Sequence, residues 1–433
     1  MSKRKISLPR SCTSMIINIL AVVTYGLSIR FMRLRNVEPF WGAVVSIAVL
    51  AATIVLLEKW FIKERHLRSA GIDFSIQGEI DFTRVLIKLL GLYVTLALVA
   101  LFYWLLPEYN GGIYHQYFRF TLKILPVILI GSIPYFFLLD MYMKDPYDGH
   151  WQAGMIVLGN WKQVNMKMLK NHFLGWVVKA FFLPLMFSAL INNTGILFNN
   201  SFQDSLAQFP RFYDYMYNFI FSVDLVYVSA GYLLTLKIFD SHIRTVEPSI
   251  FGWIVALQCY QPFWSFSYEH YLRYDDNLFW GHVITSSKFL YSTYGVIILL
   301  LFSIYSLASI AFGLRFSNLT NRGIITNGPY RWVKHPAYIA KNIAWWMISL
   351  PFLSNESWEK AVQHSLLLLA LNIIYYLRAV TEERHLSLDP VYVEYANAMN
   401  EKGIFRGLYG VFPFLKYNVG NYIENGKIRK LFF

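Results

Sequence analysis

The sequence predicts an all-α fold, a polytopic transmembrane helical bundle, and three observations predict it. Of 433 residues, 56% are hydrophobic and only 15% are charged, far more apolar than a soluble domain of this size. The apolar residues gather into about ten runs, each near the ~20 residues that cross a hydrocarbon core. The Lys and Arg behind the net charge of +13 fall in short loops between those runs, as on loops that face anionic lipid. The same scattering argues against nucleic-acid binding, because no basic, aromatic soluble face is left to hold a phosphate backbone. Cys12 and Cys259 lie far apart, in or beside apolar runs, which supports neither a disulfide framework nor a zinc site.

The expected spans are 15–29, 40–61, 85–106, 122–141, 175–191, 215–238, 249–266, 289–312, 338–353 and 361–376. The first has the basic start and apolar centre of a signal peptide. Arg30, Arg33 and Arg35 follow it in place of a small-residue cleavage site, so it is expected to be retained. The seventh carries Cys259, Gln261 and Pro262 and is expected to be re-entrant or broken.

Charge orients the set. Lys3, Arg4, Lys5 and Arg10 precede the first span, and Lys59, Lys63, Arg65 and Arg68 follow the second. Lys144, Lys162, Lys167 and Lys170 lie in loop 142–174, and Arg315, Arg322, Arg331 and Lys334 follow the eighth span. All are expected in the cytoplasm, with the loops 107–121 and 192–210, poor in basic residues, opposite. Arg30, Arg33 and Arg35 break the rule, and the sequence offers them only snorkelling at a span end.

Between spans, 145–171 is expected to be a lipid-contacting linker or part of the substrate's way in, with VNMKMLKNHFLGWV as an interfacial amphipathic helix. The stretch 269–288 is expected to be a structured loop or cap. Asp224, in mid-span, is costly in lipid and reads either as a buried helix contact or as a cavity residue. Asp140, Lys123, Lys179 and Lys237, nearer span ends, read as snorkelling or capping. No internal repeat is visible. A loose boundary near 240–248 divides an N-terminal transmembrane bundle, 1–240, from a C-terminal membrane unit, 241–433.

Polar chemistry concentrates in that second unit. GPYRWVKHPAYIAKN (328–342) precedes the ninth span, while RAVTEERHL (378–386) and VYVEY (391–395) follow the tenth. A hairpin of two spans returns the chain to the face it left, so Arg331, Lys334, His335 and Tyr338 can meet Arg378, Glu382 and Glu383. By residue type alone, Arg378, Glu382 and His385 at i, i+4 and i+7 would also make a plain interfacial salt-bridge row. His335 would also serve as a satisfied interface histidine.

Taken together, a basic residue before His335-Pro336-x-Tyr338, a hairpin, Arg378-x-x-x-Glu382-Glu383-x-x-Leu386 and Tyr392-x-x-Tyr395 resemble the isoprenylcysteine carboxyl methyltransferase group. The resemblance covers about 327–409, and phospholipid methyltransferases and membrane sterol reductases share parts of it. Lys334 stands where the group has arginine, Ala340 where it has glycine, and Leu388-Asp389 where it has an aromatic-glycine pair.

The resemblance implies an integral membrane, S-adenosyl-L-methionine-dependent methyltransferase acting on a prenylcysteine carboxylate or another lipid acceptor. It makes the hairpin a cofactor-binding one, with Val333, Lys334, His335, Tyr338, Asn342 and Glu383 as the cofactor contacts. His335 would donate to the cofactor's carboxylate or ribose, Tyr338 would pack on it, and Glu383 would hold its amino or ribose group. Arg378 and Glu382 would be catalytic. A guanidinium fork grips a carboxylate in two places, whereas an amine acceptor would need Glu382 to take its proton. The implied partners are a lipid or lipidated-cysteine acceptor and membrane lipids, without metal or nucleic acid, and the cofactor site would face the cytoplasm. Two rivals stand beside this reading. A sterol or lipid reductase using NADPH shares the hairpin, but its Arg-Asp-Glu element would here be Thr381-Glu382-Glu383. A non-enzymatic transporter or scaffold lacks support from any paired pattern of broken spans.

Overall fold

The computed structural model describes residues 7–61, 71–75, 78–424 and 427–428. Lys3, Arg4, Lys5, Lys63, Arg65 and Arg68, used above to orient the spans, lie outside the described residues. The chain folds as α1 (Met15–Leu34), α2 (Pro39–Phe61), α3 (Phe82–Leu105), α4 (His115–Tyr142), α5 (Gly149–Val157) and α6 (Met166–Asn199). It continues as α7 (Phe209–Leu233), α8 (Ile250–Leu257), α9 (Lys288–Phe312), α10 (Pro336–Ser349), α11 (Trp358–Leu386) and α12 (Pro390–Lys402). Two short antiparallel pairs complete it, β1 (Thr245–Val246) with β2 (Thr320–Asn321) and β3 (Ile423–Glu424) with β4 (Lys427–Ile428).

Among the described residues seven helices, α1, α2, α3, α4, α6, α9 and α11, are long and apolar enough to cross a bilayer. The fold is an all-α polytopic bundle. Three of the ten expected spans take another form. The sixth is α7, which is 25 residues long but carries Tyr213, Asp214, Tyr215, Tyr217 and Asn218 in its first half. The seventh is broken into the eight residues of α8 and a short helix, Phe263–Ser267, with Pro262 between them; proline has no N–H with which to continue a helix. The ninth is α10, whose 14 residues end at Leu350 in the left-handed region, φ 43°, so it reaches only about 21 Å.

The expected interfacial helix over 164–177 is not separate. It is the first part of α6, a single 34-residue helix of about 51 Å, whose end turns stand clear of a ~30 Å core.

Lipid tails compete with apolar packing, so the bundle relies on close approach and on polar ties. The backbones of α3 and α5 touch: a Cβ on Gly91 would lie 1.9 Å from the His150 carbonyl oxygen, and one on Gly154 would lie 2.1 Å from that of Ile87. In the main core, Tyr25, Leu50, Phe187 and Tyr227 from α1, α2, α6 and α7 pack together with Ile310 of α9. The Tyr227 hydroxyl donates to the Asn18 carbonyl at 2.6 Å, and Asn18 Nδ2 donates to the Ile310 carbonyl at 2.7 Å. Leu27, Leu56, Leu86 and Ile130 point outward, as a lipid-facing surface requires.

Several charged groups within the bundle have polar partners. Asp140 does not snorkel; its buried carboxylate accepts from Arg84 Nε at 2.6 Å and Nη2 at 2.8 Å. Asp224 accepts from the Tyr305 hydroxyl at 2.9 Å. Arg33, left unexplained by charge bias, donates from Nε to the Phe198 carbonyl at 3.0 Å. It thereby satisfies an orphan acceptor in the last turn of α6. The 269–288 stretch caps the hairpin turn, with Asp276 accepting from Ser354 Oγ at 2.9 Å and the Asn355 amide at 2.8 Å.

Candidate active site

The site forms where α10 begins and α11 ends. Pro336 is the first residue of α10, a position where its missing N–H costs nothing. The two helices are pinned by a polar ladder in which Trp346 Nε1 donates to Asn372 Oδ1 at 2.8 Å and Asn372 Nδ2 to Asn342 Oδ1 at 3.1 Å. This closed hairpin sets residues 334–338 against 378–383. Lys334 Nζ lies 2.7 Å and His335 Nε2 3.0 Å from Glu383 Oε1. The Tyr338 hydroxyl donates to Glu382, and Arg378 Nε lies 3.5 Å from the same oxygen.

The salt-bridge row expected from i, i+4 and i+7 spacing goes no further than that first pair. His385 turns away to Thr245 Oγ1 at 2.9 Å, and Arg384 pairs with Glu247 at 3.0 Å. Arg331, expected to join the cluster, is exposed on the turn Gly328–Arg331 and lines neither of the cavities described below.

Glu383 is buried beneath three donors, the third being the Tyr422 hydroxyl at 3.3 Å. Burial, together with the neighbouring Glu383 carboxylate, holds the Tyr422 hydroxyl above its usual range, so it stays protonated and donates. Arg378 is only 4% exposed. Its guanidinium carbon sits 5.3 Å from the Tyr260 ring centre and 5.0 Å from that of Tyr338. Its Nη2 donates to Asn318 Oδ1 at 2.6 Å and the Tyr260 hydroxyl at 3.3 Å. Aromatic faces and side-chain acceptors thus fix the plane of the guanidinium.

Two adjoining cavities share a wall made of Lys334, His335, Tyr338 and Tyr375. Val333, Lys334, His335, Tyr338, Asn342 and Glu383 all line one of them, with Trp332, Tyr376 and Phe414. Arg378 and Glu382 line the other, with Tyr260, Asn318, Tyr305 and Lys341. Sequence reasoning missed Tyr260, Asn318 and Tyr422. Tyr260 adjoins the flagged break at Gln261-Pro262; for Asn318 and Tyr422 no local signal exists.

Comparison with known proteins adds one match. Residues 293–388 fit the model of the isoprenylcysteine carboxyl methyltransferase family. Neither curated proteins nor solved structures give a match to this chain. The matched stretch runs from α9 to just beyond the end of α11 and includes His335, Tyr338, Arg378, Glu382 and Glu383. The chain is therefore an integral membrane helical protein whose hairpin is of the isoprenylcysteine carboxyl methyltransferase kind.

Proposed function

We propose that this protein is an S-adenosyl-L-methionine-dependent methyltransferase that esterifies the carboxylate of a prenylated cysteine at the cytoplasmic face. Residues 1–240 serve as scaffold for the 241–433 unit. The observation that carries this reading is the division of the polar cluster between two cavities with a wall one side chain thick.

The cavity lined by Glu383 fits the cofactor. Its carboxylate suits an amino group, Lys334 and His335 suit a carboxylate or hydroxyls, and Trp332, Tyr376 and Phe414 offer faces for adenine. When bound, the cofactor supplies an electrophilic methyl on a sulfonium. An acceptor carboxylate is already nucleophilic and needs orientation rather than a base. Arg378, held rigid by Asn318, Tyr260 and the two ring faces, supplies that orientation. The cavity around it is lined by Arg315, Arg322, Lys334, Lys341 and Arg378 against Glu247 and Glu382, a balance that favours an anionic acceptor. Arg322 belongs to the frame: it donates to the carbonyls of Ser241 at 2.7 Å and Gly231 at 3.0 Å. Glu382, engaged by the Tyr338 hydroxyl and facing Arg378, is poorly placed to take a proton from an amine.

The test is a pH–rate profile of wild type, Arg378→Lys and Glu382→Gln with a prenylcysteine and with phosphatidylethanolamine. With prenylcysteine, wild type is expected to be nearly flat around neutral pH, since carboxylate and guanidinium both keep their charge there. Arg378→Lys should lose about tenfold or more, because a lysine cannot reproduce the planar fork. An Arg378→Lys enzyme as active as wild type would overturn the acceptor assignment. So would phosphatidylethanolamine methylation that rises with pH and depends on Glu382. Calorimetric binding of NADPH, or of neither cofactor, would favour the reductase or the non-enzymatic reading.

A further inference from the structure

Away from the hairpin a further polar cavity opens in the N-terminal half, between the end of α4, the start of α5, the first turns of α6 and the segment 235–244. Three basic side chains line it, Lys179, Lys237 and Arg244, against one carboxylate, Asp148. Lys237 Nζ leans on Asp148 at 3.4 Å, and Arg244 Nη2 has Asp240, outside the lining, at 3.8 Å. Lys179 is different. Among the described residues it has no carboxylate within ion-pair distance, and its Nζ lies 3.2 Å from the centre of the Trp176 ring.

His150, His172 and His242, with Asn171 and Thr235, complete the polar lining. Burial and the neighbouring Lys237 push His242 down to about 4, so it is neutral at physiological pH. The cavity thus sets three basic side chains, two lysines and an arginine, against the single carboxylate of Asp148. A part-buried amine that rests on an aromatic face without a carboxylate beside it is costly to charge next to lipid. An anion in the cavity removes that cost.

The rest of the wall is apolar, with Tyr135, Phe136, Leu139, Met168 and Trp176. The connection between α5 and α6, adjacent in the chain to these lining segments, exposes Leu158 and Trp161, and α6 opens on the exposed Met166. Such exposure belongs at the level of lipid headgroups. Asn171 Nδ2 donates to the Arg244 carbonyl at 3.2 Å, and the Arg244 amide donates to the Asn321 carbonyl of β2 at 2.9 Å. The cavity wall is thus joined directly to the strand pair beside the hairpin site.

We propose that this cavity is a phosphate-binding site, taking the phosphate of a lipid headgroup or free phosphate, with Lys179 as its unshared cation. The proposal is independent of the methyl-transfer reading. The test is calorimetric titration of the full-length protein in dodecyl maltoside with dioctanoyl phosphatidic acid, inorganic phosphate and dioctanoylglycerol. Saturable binding of phosphatidic acid alone assigns the site to a headgroup, and saturable binding of both phosphate probes assigns it to the free anion. Lys179→Gln should weaken that binding by about ten- to a hundredfold, while Lys360→Gln, at the start of α11, leaves it unchanged. Deuterium exchange on the wild-type protein provides a second measure that needs no variant: the bound probe should protect 235–244 and the first turns of α6. Absence of saturable phosphate binding would overturn the proposal. Dioctanoylglycerol binding as tight as phosphatidic acid, an unaffected Lys179→Gln, or protection confined to other segments would overturn it equally.

Discussion

Glu383 gathers one side of the site, since Lys334, His335 and Tyr422 all converge on its carboxylate. Removing its charge leaves buried donors facing a neutral amide, which costs on the order of 1.5–3 kcal/mol for a charged contact. Glu383→Gln is therefore expected to weaken S-adenosylmethionine binding by about ten- to a hundredfold in calorimetry. His335→Ala should fall in the same range. Unchanged affinity in both, with the helical circular dichroism retained, would make the cluster purely structural. These residues were legible because they sit in two local motifs. The residues that hold Arg378 were not, because Asn318 lies 60 positions away and Tyr260 lies 118 away. No periodicity in the chain reports a contact of that separation. Arg331 misled for the opposite reason: it is near the motif in sequence but turned outward by the Gly328–Arg331 turn.

At the scale of elements, hydropathy alone located most of the helices. It failed where a helix is shaped by its ends or by its neighbours. Nothing local announced that α10 would stop at Leu350, or that α6 would run unbroken through an expected linker. Pro262 did announce the broken seventh span. The crossing of α3 on α5 was also unreadable, since a glycine in an apolar run does not say what touches it. There the backbones are so close that any side chain must part them. Gly91→Ala is expected to destabilise by about 1–3 kcal/mol or more, as overpacking does, lowering the thermal midpoint in detergent. A midpoint equal to wild type would show that α5 moves aside without cost.

For the whole molecule, the antiparallel hairpin returns both halves of the candidate site to one face. The expected outcome in a chain carrying Cys12→Ser and Cys259→Ala is that Arg331→Cys and Asn397→Cys, both exposed positions, react with an impermeant maleimide from the cytoplasmic side alone. Gly112→Cys, exposed between α3 and α4, should react only from the other side. Labelling of Arg331→Cys and Asn397→Cys from opposite sides would break the topology. One seam in the structure also bears on how the protein is made. Thr13 Oγ1 donates to the Ala311 carbonyl at 2.6 Å, Asn327 Nδ2 to the Thr13 carbonyl at 2.9 Å, and Thr326 Oγ1 to the Pro9 carbonyl at 2.7 Å. These partners are 298, 314 and 317 residues apart. Translation at ~5–20 residues per second separates their emergence by roughly 15–60 seconds. The segment 9–13 must therefore wait for these partners while most of the bundle is inserted, and the loop leading into His335 gains its last support from residues synthesised long before it.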